Sequence, residues 1–268
     1  MMQMMLILSL LAFMLTKILI PPLAQLLASG GALRKNFQDR EIPVAMGLVI
    51  GFGVLPSILI YGSFLNKIFA PQLLILLFTT LLVGLIDDLL GNHDVKGLKG
   101  HFSLLFKKKR LTSGALKAII ISLISLYFSF LVSDSYFVWI LNYFILVFIT
   151  NLFNLLDVRP GRTIKVYFLL GLILVLAYPF NNYLLIILSS VLAYSSWDLK
   201  GKGMLGDTGS NFLGMSIGIS LVLNLSLTIK FILFLALIYL HWYTERNSLT
   251  KLIERVYFLR LIDNLGRR

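Results

Sequence analysis

Apolar residues along this chain fall in long unbroken stretches rather than in alternation or narrow stripes. The runs cover 4–27, 44–65, 71–90, 115–132, 136–156, 165–180, 183–197, 210–226 and 229–243. A helix that crosses a bilayer uses about 20 apolar residues, and the longer runs reach that length. The pattern predicts an all-α polytopic membrane bundle of about nine transmembrane helices. Two runs are short and some adjoin, so eight or ten crossings stay open beside nine. Residues 1–243 read as a single transmembrane domain, and 244–268 as a basic C-terminal tail. The first run lacks a basic leading segment and a small-x-small cleavage site, so a retained span is expected. Pro21 and Pro22 near its end predict a kink, which neighbouring helices can tolerate.

Composition acts mainly by exclusion. Of 268 residues, 58% are hydrophobic and 13% charged, where soluble domains carry about 25% charge. With a mean hydropathy of +0.90, soluble, disordered, collagenous and disulfide-scaffold classes drop out. The absence of cysteine removes disulfides, thiolate metal sites and cysteine nucleophiles.

The net charge of +12 would suggest nucleic acid in a soluble protein. Here the cations follow the loops instead, and no nucleic-acid partner is expected. One alternate set of loops holds 21 Lys and Arg, and the opposite set holds only Lys67 and Lys230. The positive-inside rule therefore predicts an outside N-terminus and a cytoplasmic C-terminus. The run Lys107-Lys108-Lys109-Arg110 fits that topology signal and contact with anionic lipid heads. Eleven of the twelve acids fall on the cation-rich side, with Asp134 opposite. Asp87, Asp88, Asp157, Asp198 and Asp207 sit where apolar runs meet that side, which points to a single inner-face site.

Three motifs carry candidate chemistry. Val83 to Gly91 holds the pair Asp87-Asp88 at the end of the third run. Adjacent helical residues point about 100° apart, yet at a helix end both carboxylates can reach one cation; the plain alternative is two solvated acids. Asn151, Asn154 and Asp157 form a polar stripe at i, i+3, i+6 on the fifth run. Such a stripe is costly in a membrane unless it lines a cavity or joins helices. Gly206-Asp207-Thr208-Gly209-Ser210-Asn211 precedes the eighth run. Its glycines free amides to face an anion at a helix N-terminus, and Asp207 supplies a hard oxygen suited to Mg²⁺. The plain alternative is a helix start capped by Ser210 or Asn211.

In this order, the three motifs resemble those of the polyprenyl-phosphate N-acetylhexosamine-1-phosphate transferases, which include the phospho-N-acetylmuramoyl-pentapeptide transferases of peptidoglycan synthesis. The segment Arg40 to Gly47 also looks like that family's start of the second span, and the resemblance covers most of 35–225. It implies transfer of a sugar-1-phosphate from a nucleotide sugar, UDP-linked, to a polyprenyl phosphate, with release of UMP. The setting implied is cell-envelope glycan synthesis at the cytoplasmic face of the cell membrane. Mg²⁺ is the implied cofactor, with Asp207 as its ligand and Asp87 and Asp88 as the catalytic pair. Asn151, Asn154, Asp157, Gly209 and Ser210 would bind substrate. Beside the resemblance, Arg159 and Arg162 could grip phosphate with two donors each, and Lys99 and His101 are further substrate-binding candidates; the plain alternative for a loop histidine is a solvated side chain. The partners are then polyprenyl phosphate, a nucleotide sugar and the lipid bilayer, with a homodimer left open.

The chain also departs from that family. Where a second carboxylate is usual after the Asn stripe, it reads Asp157-Val158-Arg159-Pro160-Gly161-Arg162. It has no late His-rich loop, since the last histidine is His241, and no tenth span. These departures support an alternative: a non-catalytic relative that binds polyprenyl lipid or serves as a membrane partner in envelope assembly. A transporter is disfavoured, because no paired interrupted spans are present.

Overall fold

The computed structural model describes residues 2–36, 38–64, 69–91, 111–178 and 182–266. The nine apolar runs become helices α1 (Met2–Ser29), α2 (Gly47–Phe64), α3 (Phe69–Leu90), α4 (Ser113–Leu131), α5 (Tyr136–Leu156), α6 (Arg162–Ala177), α7 (Asn182–Leu199), α8 (Gly206–Asn224) and α9 (Leu227–Arg246). Two short helices follow, α10 (Leu249–Arg255) and α11 (Tyr257–Asn264). α1 continues through both prolines to Ser29. Among the described residues, α1 to α5 and α9 are long and apolar enough to cross a membrane. The protein is an all-α, multi-pass membrane bundle.

α8 is the axis of the bundle, packing against α2, α3, α5 and α6. Fourteen of its 19 residues are buried, so it faces other helices rather than lipid. That position explains its Gly and Ser content, since small residues let backbones approach closely. A Cβ on Gly84 would overlap the α8 backbone at Asp207 and Thr208, and one on Gly214 would meet the α5 backbone at Thr150. Polar cross-links tie the remaining helices together. Thr16 and Ser190 share a hydrogen bond of 2.6 Å between α1 and α7, and the Ser57 hydroxyl donates to the Leu8 carbonyl at 2.8 Å.

One element lies outside the helical expectation. Residues 33–35 and 41–43 form an antiparallel hairpin, β1 (Leu33–Lys35) and β2 (Glu41–Pro43), with Arg34 opposite Ile42. Beyond β2 the backbone pairs with the segment leading into α8: Met204 N–H donates to the Pro43 carbonyl at 2.8 Å, and Gly47 N–H to the Leu205 carbonyl at 2.9 Å. The starts of α2 and α8 are thereby fixed side by side.

Residues 249–264 are held against the bundle. α10 and α11 fold back onto the turn between α5 and α6, at the same end of the bundle as the acidic motifs.

Candidate active site

The two carboxylates that close α3 diverge, as their 100° offset requires. Asp88 turns into the bundle and is 8% exposed. One of its oxygens accepts the Asp207 N–H at 3.0 Å. The other accepts the Thr208 N–H at 2.9 Å and the Thr208 hydroxyl at 2.6 Å. The first N–H groups of a helix have no partner within it, and its N-terminus is partly positive. A buried carboxylate there satisfies both conditions. Gly206 permits the approach, because it sits at φ 72 and a Cβ on it would overlap the Asp88 carboxylate. Arg34 of β1 donates to the Asp88 carbonyl at 2.6 Å, capping the end of α3.

Asp87 turns the other way. Its carboxylate accepts from the Lys117 ammonium at 2.7 Å, and the same ammonium is paired with Asp207. Lys117 lies early in α4 and is 14% exposed. An ammonium so enclosed needs compensating charge, and two carboxylates from two other helices supply it. The result is a cation held between hard oxygen donors.

Asp157 follows directly on α5 and accepts the Thr163 hydroxyl at 3.2 Å. Burial pushes its carboxyl well above the usual carboxylate range, and the neighbouring charges of Asp198, Asp207 and Asp88 push it the same way. Asp198 accepts the Gly161 N–H at 2.6 Å, holding the turn after Asp157 in place.

The structure thus brings Asp87, Asp88, Asp157 and Asp207 to one end of the bundle. The amides at the start of α8, which the sequence assigned to a ligand anion, are occupied by the Asp88 carboxylate. α8 begins four residues before the run at 210–226, so Ser210 and Asn211 lie inside the helix and do not cap it. Ser210 is buried and donates to the Asn154 side chain at 3.3 Å, joining α8 to α5. Gly209 is packed against Gly47 where α2 crosses α8. Asn151, one turn before Asn154, is half-buried.

The two arginines have protein partners. Arg162 is 3% exposed and grips Asp263 with two donors, Nε at 2.8 Å and Nη2 at 3.0 Å. The fork that the sequence assigned to phosphate holds a carboxylate of α11. Arg159 pairs with Glu254 of α10 at 2.7 Å. Lys99 and His101 lie outside the described residues.

Lys117 is the residue that sequence reasoning missed as part of the site. It counts equally as a loop cation, because it stands only a few residues inside an apolar run. The available signal was the cost of a lone charge near a span, which implies a partner.

No curated protein matches the chain. The sequence profile described as glycosyl transferase family 4 matches residues 70–226, from the start of α3 to just past α8. That stretch is more than half of the chain and carries every carboxylate of the cluster. The protein therefore belongs to glycosyl transferase family 4, the family of polyprenyl-phosphate sugar-1-phosphate transferases.

Proposed function

We propose that the protein transfers a sugar-1-phosphate from a UDP-sugar to a polyprenyl phosphate at the cytoplasmic face of the cell membrane, for cell-envelope glycan synthesis. The observation that carries this reading is the Asp87–Lys117–Asp207 cluster beside the Asp88-capped start of α8. In the reaction, an oxygen of the lipid phosphate forms a bond to the sugar-bearing phosphorus of the donor. The bond from that phosphorus to the UMP oxygen breaks, and UMP leaves. The lipid phosphate is itself the nucleophile, so Asp87 needs only to position it or accept a proton. The Lys117 ammonium places positive charge where phosphate oxygens would gather.

Mg²⁺ fits the donor set. The ion takes one or two carboxylates plus substrate phosphates rather than a full protein cage, and Asp87 and Asp207 already converge on a shared cation. Among the described residues, no three His, Cys, Asp or Glu side chains form a metal-holding group; substrate phosphates would have to supply the remaining ligands. Charge neutralisation of the diphosphate and of the leaving group is the chemistry Mg²⁺ supplies when bound.

The orientation rests on charge. Arg34, Lys117, Arg159, Arg162 and Lys165 stand at the carboxylate end, and Lys230 lies near Asp134. The positive-inside rule makes the former end cytoplasmic.

The test is an exchange assay. Purified protein, polyprenyl phosphate, Mg²⁺ and a panel of nucleotide sugars are incubated, and the lipid fraction is read by mass spectrometry. A lipid-linked sugar phosphate with stoichiometric UMP is expected for at least one UDP-sugar. No product with any donor would favour the second reading, a non-catalytic lipid-binding relative. The bidentate hold of Asp263 on Arg162 is the observation on that side.

A further inference from the structure

The segment after α9 combines an exposed apolar stripe, leftover positive charge and a fixed attachment to the bundle. At 100° per residue, Tyr257, Phe258, Leu261 and Ile262 fall on one side of α11 and Asp263 on the other, with exposed Leu265 directly after the helix end. Asp263 is buried against Arg162, and Lys165 donates to the Asp263 and Ile262 carbonyls at 2.7 and 3.0 Å. The attachment therefore turns the apolar stripe away from the protein, leaving Phe258 67% and Leu265 72% exposed. A contiguous patch of this kind marks an interaction surface.

Charge identifies the partner. The segment 248–266 holds two acids, Glu254 and Asp263, and both are engaged by Arg159 and Arg162. Lys251, Arg255 and Arg260 remain exposed, so the outward face is positive as well as apolar. Position agrees. Exposed Tyr239 and Trp242 near the end of α9 are side chains that favour the membrane interface, and Arg246 stacks over Trp242 at 4.7 Å. Only Asn247 and Ser248 separate α9 from α10, which keeps both short helices at that depth.

We infer that α10–α11 is an interfacial element that lays its Tyr257–Leu265 stripe into the headgroup layer of anionic lipid at the carboxylate end of the bundle. An amphipathic helix with cations beside its apolar face binds in this way. Docking through Arg162 would then couple the lipid surface to the turn that follows Asp157.

The natural absence of cysteine makes the test direct. Full-length Phe258→Cys, Leu261→Cys and Leu259→Cys variants would carry an environment-sensitive fluorophore, Leu259 lying on the Asp263 side of the helix. They would be reconstituted in phosphatidylcholine vesicles with and without phosphatidylglycerol. At positions 258 and 261 the label should be quenched by nitroxide-bearing lipid and protected several-fold from iodide, more so with phosphatidylglycerol and less at high salt. At 259 the iodide quenching should be several-fold stronger. Equal iodide access at all three positions in phosphatidylglycerol vesicles overturns the inference. So does protection without nitroxide quenching but with energy transfer between labelled protomers, which would assign the stripe to a second copy of the chain.

Discussion

The Asp88 carboxylate takes the Thr208 N–H at 2.9 Å and the Thr208 hydroxyl at 2.6 Å, so the acid that ends α3 also caps α8. This contact fixes the relative height of two helices whose other carboxylates, Asp87 and Asp207, share Lys117. Hydrogen bonds to a charged group contribute about 1.5–3 kcal/mol each. Asp88→Ala should therefore lower stability in detergent by about 3 kcal/mol, and Asp88→Asn by less, because one amide oxygen still accepts. Equal melting temperatures for Asp88→Ala and wild type would remove the capping role.

Lys117 is coupled to both of its carboxylates. In a double-mutant cycle, Lys117→Met and Asp87→Asn should show an interaction energy of about 1–3 kcal/mol, the range for groups in one charge network. Unfolding followed in mild detergent measures it. Strict additivity would mean that the pair contributes nothing.

The buried Arg162–Asp263 pair should hold the C-terminal helices in place. Removing one partner of a buried ion pair costs about 3–5 kcal/mol, because the other charge is left uncompensated. Asp263→Asn should undock the segment and speed tryptic cleavage after Lys251 and Arg255. Arg162→Met combined with Asp263→Leu should recover part of the protection. A cleavage rate unchanged in Asp263→Asn contradicts the latch.

Asp157 gives a pH dependence whose sign is fixed. Its folded-state pKa is raised, chiefly by burial, so its protonated form is the one the fold favours. The stability it contributes is complete below about pH 3.9, the ordinary carboxylate value, and is lost as pH rises through the raised value. Asp157→Asn should match wild type in acid and become the more stable protein as pH rises. A gap that widens towards low pH would reverse the assignment.

α1 to α9 are legible because long apolar runs announce themselves, whether they face lipid or, like α8, other helices, and the ends of α3, α5 and α8 are legible because acids there interrupt them. Legibility failed where a residue's meaning depends on a distant partner. Asp263 and Glu254 read as ordinary tail acids until α11 and α10 dock against Arg162 and Arg159. The hairpin at 33–43 has three-residue strands, too short for alternation to show. Gly206 looked like part of an anion-binding loop. The anion next to it is Asp88, from a motif more than a hundred residues earlier.

The proposed transfer needs the negative charge of Asp207, and Asp207→Asn in the exchange assay tests that need. The substitution should spare the fold, because the Asp207 backbone N–H still meets Asp88 and an amide oxygen can still accept from Lys117. Loss of one partner of Lys117 should lower the melting temperature modestly. In the folded variant, the rate of lipid-linked sugar phosphate formation should fall by several kcal/mol of transition-state stabilisation, on the order of 10³-fold. A variant that keeps near-wild-type, Mg²⁺-dependent transfer would contradict the account and leave Asp207 as a partner of Lys117 only.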